Sequence, residues 1–295
     1  MDLSIIILSY NTKDITDECL KRLQSGVSSC QTKLKNKIEV IVLDNASADG
    51  SAQMIKKNHP WVNLIESKEN TGYSKGNNLA LKKSKYPAVL FLNSDVYVKD
   101  YTLEKTLEYF KGHECDVLGV KLLYEDGKLQ PSAGNLPDPL NTVFWILGLG
   151  QLLNPFHPKN SAYFSKDNKV GWIMGAFLLI RKEVFEKIGG FDEDIFMYMD
   201  EVDLCKRIYL AGFKVCFTPS VQVIHLHGAS SKFDPSLAFK NELKGLKYYF
   251  GKYYPVQYPM VKIFLVLGLI LRIIAFSLLG KTKRARAYLE GLSLV

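Results

Sequence analysis

Four short apolar runs in the first hundred residues, Leu3 to Leu8, Ile38 to Leu43, Val62 to Ile65 and Ala88 to Leu92, each lead into a polar loop. The loops are Ser9-Tyr10-Asn11, then Asp44-Asn45-Ala46-Ser47-Ala48-Asp49-Gly50-Ser51, then Asn70 to Asn78, then Asn93-Ser94-Asp95. Amphipathic segments lie between them; Leu20, Leu23 and Val27 mark the first such helix. Apolar runs without alternation are buried on both faces, and strands that alternate with helices build a parallel α/β sheet. Open sheets of this kind bind ligands at the carboxyl ends of their strands. The repetition of Asn, Asp, Ser and Gly on that edge therefore predicts a ligand-binding edge.

Further on, the pattern predicts a helix over 104–111, strands over Asp116 to Tyr124 and Phe177 to Ile180, and two more over Lys214 to Phe217 and Val221 to Ile224. A Pro-, Asn- and aromatic-rich stretch from Pro131 to Lys169 reads as an irregular cover over the acceptor side. Val170 to Ala176 is rich in small residues around Trp172 and Gly175. They either let a ligand lie against backbone or let strands pack closely.

With 295 residues, 47% hydrophobic and 23% charged, the chain can bury the core of one large or two modest domains. Its net charge of +8 suits nucleic acid, an anionic membrane or a phosphorylated substrate. Many basic residues, from Lys240 to Arg286, gather around an apolar run in the last third, which favours a membrane surface. No zinc-finger, helix-turn-helix or RNA-recognition signature is present, so no nucleic-acid partner is expected. The cysteines number five with no C-x-x-C spacing, and the chain opens without a basic, signal-like stretch. Both point to reduced thiols in the cytosol.

No G-x-G-x-x-G follows the first strand and no P-loop occurs, so a bound nucleotide needs its phosphates neutralised by other means. A divalent cation held by oxygen ligands would serve, Mg2+ or Mn2+ by chemistry, and Asp95 is the acid best placed for it. The alternative is that Asp95 merely forms a turn. His225 and His227 share one face of an extended segment, where a neutral imidazole is a competent metal ligand. In Asp200-Glu201-Val202-Asp203, three acids open a helix that continues through Leu204, Cys205, Ile208 and Ala211 to Gly212. Asp200 reads either as a helix cap, with Asp203 closing a capping-box-like pair, or as a general base.

Taken in order, Ser9-Tyr10-Asn11, Asp44-Asn45-Ala46-Ser47, Asn70-Thr71-Gly72-Tyr73, Asn93-Ser94-Asp95, Gly189-Gly190-Phe191-Asp192-Glu193, Asp200 to Cys205 and His225 resemble family 2 glycosyltransferases, in particular their rhamnosyltransferase-like branch. The resemblance implies a GT-A, Rossmann-like fold with a mostly parallel sheet, a nucleotide-diphosphate sugar donor, Mg2+ or Mn2+, and inversion at the anomeric carbon. It implies that Ser9, Tyr10 and Asn11 shape the nucleotide pocket and that Asp44 meets the base or ribose, supported by Asn45 and Ser47. Lys75 and Asn78 would lie near the diphosphate, Asp95 and His225 (His227 being the second candidate) at the metal, and Asp200 would be the base. Glu201 and Asp203 would orient that segment or touch the acceptor. Asn93 stands where the family's metal motif has its first acid, which leaves one anionic ligand instead of two.

Residues 1–235 are expected to form the catalytic domain, with 1–100 binding the nucleotide sugar and 101–235 the acceptor. Residues 236–295 would be a helical membrane-associating segment. Its apolar run from Ile263 to Gly280 is 18 residues long, interrupted by Arg272 and flanked by basic clusters on both sides. That favours a helix lying in the cytoplasmic leaflet's interface over one that crosses the bilayer. The sequence thus points to a transferase that carries a sugar, such as a deoxyhexose, to a glycan acceptor, lipid-linked, at the cytoplasmic face of the membrane. A nucleotidyltransferase and an inactive, membrane-bound binding protein are the alternatives.

Overall fold

The computed structural model describes residues 1–34, 37–151, 156–226 and 235–295. The first third supplies β1 (Leu3–Ser9), α1 (Lys13–Leu34), β2 (Ile38–Asp44), α2 (Ser51–Asn58), β3 (Asn63–Glu66), α3 (Gly72–Leu81), β4 (Ala88–Asn93) and β5 (Val96–Tyr97). Then come α4 (Thr102–Gly112), β6 (Val117–Leu123), β7 (Leu129–Gln130), β8 (Ala133–Gly134), α5 (Pro139–Ile146), β9 (Asn168–Lys169) and β10 (Trp172–Ile173). The last part holds β11 (Phe177–Arg181), α6 (Lys182–Lys187), α7 (Asp200–Leu210), β12 (Val215–His225), α8 (Pro235–Tyr253), α9 (Tyr258–Leu278) and α10 (Thr282–Gly291).

One sheet carries the strand order β3-β2-β1-β4-β11-β6-β12-β5, with β7 beside β6 and β9 beside β12. The pairs β1 with β2, β1 with β4, β2 with β3 and β6 with β12 are parallel, whereas β11 runs antiparallel between β4 and β6. Because β11 is reversed, its amino end shares an edge with the carboxyl ends of β1, β2, β4, β6 and β12. After β3 the chain returns to the other side of β1 to lay down β4. That change of direction opens a crevice at the carboxyl ends of β1 and β4.

Side chains alternate across the sheet. Leu3, Ile5 and Ile7 pack with Leu20 and Leu23 of α1 and with Leu103 and Leu107 of α4. Ile6 and Phe91 face the other way, in the core that takes in Leu204 and Ile208 of α7. Leu243, Leu246, Tyr249 and Phe250 of α8 belong to that same core, and each such side chain contributes about 1.5–3 kcal/mol on burial. The boundary expected after residue 235 is therefore not a boundary in the packing. Compositional change does come at α9, whose one face buries Val261, Leu265, Gly268 and Leu269.

Two further expectations change. The strands over Lys214 to Phe217 and Val221 to Ile224 are one strand, β12, with a register break between Thr218 and Gln222. Pro219 sits in that break and has no N–H to give to a ladder. The supposedly irregular cover contains α5, started by a capping box between Asp138 and Asn141 with Pro139 in the first turn.

Candidate active site

A cleft of about 240 Å³ opens on the shared edge, lined among others by Tyr10, Asn45, Asn93, Ser94, Asp95, Gly175, Asp200, Glu201 and His225. Sheet-borne residues form one wall and the amino end of α7 the other.

On the sheet side the first two loops are locked together. The Asn11 N–H donates to Ser47 Oγ (3.0 Å) and the Ala48 N–H donates to Asn11 Oδ1 (2.8 Å). Asn45 donates through Nδ2 to Asn70 Oδ1 (2.9 Å) and accepts at Oδ1 from the Thr71 N–H (2.9 Å), which ties the second loop to the third. Asp44 is buried, and the Ser47 N–H donates to its Oδ2 (3.0 Å). Its Oδ1 is buried with no hydrogen-bond partner among the described residues. An unpaired buried carboxylate oxygen carries a full desolvation cost, which a ligand N–H or O–H would relieve.

Asp95 and His225 meet at the end of β4 and β12, with Asp95 Oδ1 3.2 Å from His225 Nε2. Gln130 Oε1 lies 3.0 Å from the other ring nitrogen, Nδ1. Asp95 and His225 thus bring an oxygen and a nitrogen donor together on the cleft wall, a pair that suits a divalent cation such as Mg2+ or Mn2+. No group of three or more His, Cys, Asp or Glu fit to hold a metal occurs among the described residues. The donor set therefore fits an ion completed by substrate phosphates and water, the usual mode for Mg2+, and not an all-protein cage.

On the opposite wall α7 begins at Asp200 itself. Tyr198 and Met199 turn the chain into the helix with φ of 67° and 66°, a left-handed pair that is strained for residues other than glycine. Gly245 of α8 permits this turn, since a Cβ there would lie 2.8 Å from Met199 Cβ and from the Tyr198 carbonyl oxygen. Asp200 is not a cap, because the capping position is Met199 and no side chain caps the helix. Asp203, fully buried, accepts instead from Arg207 Nε (2.8 Å), Lys252 Nζ (2.8 Å) and Tyr253 OH (2.7 Å). Lys252 also bridges to Asp192, so α8, α7 and the turn before it form one ionic cluster. Burial raises the Asp200 carboxyl well above the ordinary carboxylate range, and the neighbouring Glu201 charge adds to the shift. Burial also lifts Glu201. Tyr73 OH donates to the Gly175 carbonyl (2.9 Å) and closes the floor between the walls.

Several residues that the sequence singled out stand back from the cleft. Ser9 is buried against the hydroxyls of Thr12 and Thr16, and together with Asn11 and Ser47 it shapes the loops. Lys75 lies 3.9 Å from Glu69 and does not line the cleft. Asn78, expected near a diphosphate, donates to the Phe191 carbonyl (2.9 Å) and accepts the Phe191 N–H (3.0 Å), which holds the turn that leads towards α7. Trp172 is a core residue whose indole N–H donates to the Phe156 carbonyl (3.0 Å). His227 lies outside the described residues. Tyr198, Gln130 and Lys252 went unnoticed. Tyr198 opens the acidic run and was visible there, while Gln130 and Lys252 carry no local pattern.

A Rossmann-like sheet with a cleft at its switch point is the architecture of GT-A transferases among other nucleotide-binding proteins, and the comparisons with known proteins single out that class. Residues 4–189 match the family described as Glycosyl transferase family 2, and the chain belongs to that family as a glycosyltransferase. An N-acetylglucosaminyl-diphospho-decaprenol L-rhamnosyltransferase of Mycobacterium tuberculosis is 29% identical over 72% of this chain and 75% of its own. Rhamnosyltransferase WbbL of Escherichia coli is 28% identical over 84% of this chain and 92% of its own. Among solved structures, a mannosyltransferase of Pyrobaculum calidifontis in complex with GDP-Man and Mn2+ superposes with a TM-score of 0.58 at 15% identity, covering 98% of this chain and 85% of that one. TarS of Staphylococcus aureus in complex with UDP-GlcNAc gives 0.56 at 20%, covering 99% and 80%. The family match ends before α7, so the roles of Asp200 and His225 rest on geometry.

Proposed function

We propose that the protein is an inverting glycosyltransferase that moves a deoxyhexose such as rhamnose from a nucleotide-diphosphate sugar to a hydroxyl of a lipid-linked glycan at the cytoplasmic face of the membrane. The observation that carries the reading is the facing of two different chemistries across one cleft, Asp95 with His225 on the sheet edge and Asp200 on α7. The rhamnosyltransferase names of the relatives support the sugar and the lipid-linked acceptor.

Inversion is a direct displacement. Asp200 takes the proton of the acceptor hydroxyl, that oxygen forms its bond to the anomeric carbon, and the bond to the diphosphate oxygen breaks on the opposite face. Asp44 supports the nucleotide side from beneath the cleft by holding the Ser47 N–H, and Glu201 lines the acceptor side. Asp95 and His225 would hold a Mg2+ or Mn2+ ion, which when bound neutralises charge on the leaving diphosphate. A single base suffices, so the separated carboxylate pair of a glycoside hydrolase is not required.

The apolar helix α9 supports a membrane-associated reading. It is long enough to cross a bilayer, yet Val261, Leu265, Gly268 and Leu269 face the protein and Arg272 donates to the Ile146 carbonyl (3.1 Å). A helix fastened along the domain lies in the interface, with Ile263, Leu267, Leu271, Ile274 and Leu278 outward and exposed Lys281, Lys283, Arg284 and Arg286 near anionic headgroups.

A thermal-shift panel of nucleotide sugars with Mn2+ tests the donor assignment, because a ligand stabilises the fold with its occupancy. One donor should raise Tm, and EDTA or Asp95→Ala should reduce that rise. A rise unaffected by both would remove the metal role from Asp95. The inactive-scaffold reading is motivated by Asn93; slow hydrolysis of the bound donor without acceptor would exclude it.

A further inference from the structure

A second cavity of about 340 Å³ lies apart from the cleft, where α5 meets α8, α9 and α10. Its size falls within the range of about 300–1,000 Å³ that small-ligand sites occupy. Trp145, Phe239 and Tyr288 give it aromatic walls, while Glu242, Arg272 and Lys159 bring charge of both signs to it.

Glu242 is the informative member. Among the described residues no hydrogen bond or ion pair engages its carboxylate, and Arg272 lines the same cavity. The surrounding protein lifts its carboxyl to about 7, burial first and the charge of Glu201 second. Arg272 is fixed in the wall by donating to the Gly268 carbonyl (3.0 Å) and the Ile146 carbonyl (3.1 Å). Two of its five N–H donors are thereby used, and the rest have no protein acceptor among the described residues. Gln151 is committed to the rim, donating to the His157 carbonyl (2.8 Å) and accepting the Lys159 N–H (2.9 Å).

A carboxyl that titrates near neutrality and so can accept or donate, a donor-only guanidinium and apolar ring surfaces in one pocket match the chemistry of a sugar ring. Its hydroxyls both donate and accept, and its C–H face packs on aromatic rings. A naked phosphate would be repelled by Glu242, and a lipid chain would strand both charges without partners. Position supports the same ligand. Glu242 lies three residues before Gly245, about 4.5 Å along the helix, and Gly245 abuts the Tyr198-Met199 turn that presents Asp200.

We propose that this second cavity is a saccharide subsite, which holds a sugar unit of the acceptor glycan remote from the reacting hydroxyl through Glu242, Arg272 and the aromatic walls. The inference rests on the glycosyl-transfer reading of the cleft. The test uses saturation-transfer NMR on the full-length protein with methyl glycosides of rhamnose, N-acetylglucosamine, glucose, galactose and mannose as probes. At least one should bind, and Glu242→Gln and Trp145→Leu should each weaken it about tenfold or more. Inorganic phosphate should not displace it. Donor-induced thermal shift and donor hydrolysis should stay at the level of the unmodified protein in both variants. Absence of binding by all five glycosides, displacement by phosphate, or equal binding in both variants would overturn the subsite and leave the cleft's function standing. Loss of donor hydrolysis in the variants would overturn it too, by showing that Glu242 acts through Glu201. A failure of the cleft's own assignment would appear separately, as absence of any donor-induced shift.

Discussion

At the scale of single residues, the cleft sets two acids against each other. Asp200 must be ionised to take a proton, yet burial and then Glu201 both favour its protonated form. The acid limb of kcat/KM should therefore lie above the ordinary Asp value of about 3.9. Glu201→Gln removes the second cause and leaves the first, so the limb should move to lower pH while staying above that value. A pH–rate profile reads this directly, and a limb that does not move would mean that Glu201 exerts no charge on the base. The same shift has a stability sign. A carboxyl whose folded pKa is raised contributes stability below its unfolded pKa, and this is lost as pH rises through the folded value. At neutral pH the fold thus bears a cost for holding an ionisable Asp200 in a buried place. The positions of Asp95 and Asp200 on the cleft could be read from the sequence because one follows a strand and the other opens a helix, while Asp44 ends β2 and lies beneath the cleft. The placement of Asn78 could not, because its side chain bonds the backbone of Phe191, more than a hundred residues away, and Lys75 and Trp172 turn to neighbours that carry no motif.

At the scale of elements, α7 is aimed by α8. Lys252 joins Asp203 to Asp192, and Gly245 gives the Tyr198-Met199 turn its room. Lys252→Met should cost about 3 kcal/mol, since it leaves a buried carboxylate short of a partner. Gly245→Ala would by propensity alone help the helix by up to about 1 kcal/mol. Here the Cβ meets a backbone carbonyl that cannot yield without moving Asp200. The expected result is a fall in kcat of tenfold or more with the donor's KM unchanged. A normal kcat in Gly245→Ala would show that the turn does not depend on α8. Apolar periodicity placed β11 and the start of α7 to within a residue or two, but it split β12 in two and missed α5. The dependence of α7 on α8 was not, because the ionic cluster joins residues about fifty positions apart that share no motif.

At the scale of the whole molecule, catalytic body and C-terminal helices are one packed unit, since α8 shares the core and α9 is fastened to α5 through Arg272. The expected break after residue 235 was drawn from composition, and composition changes at α9 instead. An apolar, basic-flanked helix was visible in the sequence, but its inner face was not, because Val261, Leu265, Gly268 and Leu269 look no different from the outward residues until a partner surface is known. Leu271→Glu with Ile274→Glu should release the protein from vesicles rich in anionic lipid in a flotation assay, with Tm unchanged because both side chains are exposed. Retention on the vesicles would place the membrane contact elsewhere.

The central claim is that Asp200 is the base, and Asp200→Asn in the purified full-length protein tests it most directly. Transfer to acceptor should fall by about 10²–10⁴-fold, the usual contribution of a general base, with the donor's affinity within about twofold of the original. Unchanged transfer would contradict the account, and so would a loss of transfer explained entirely by lost donor binding.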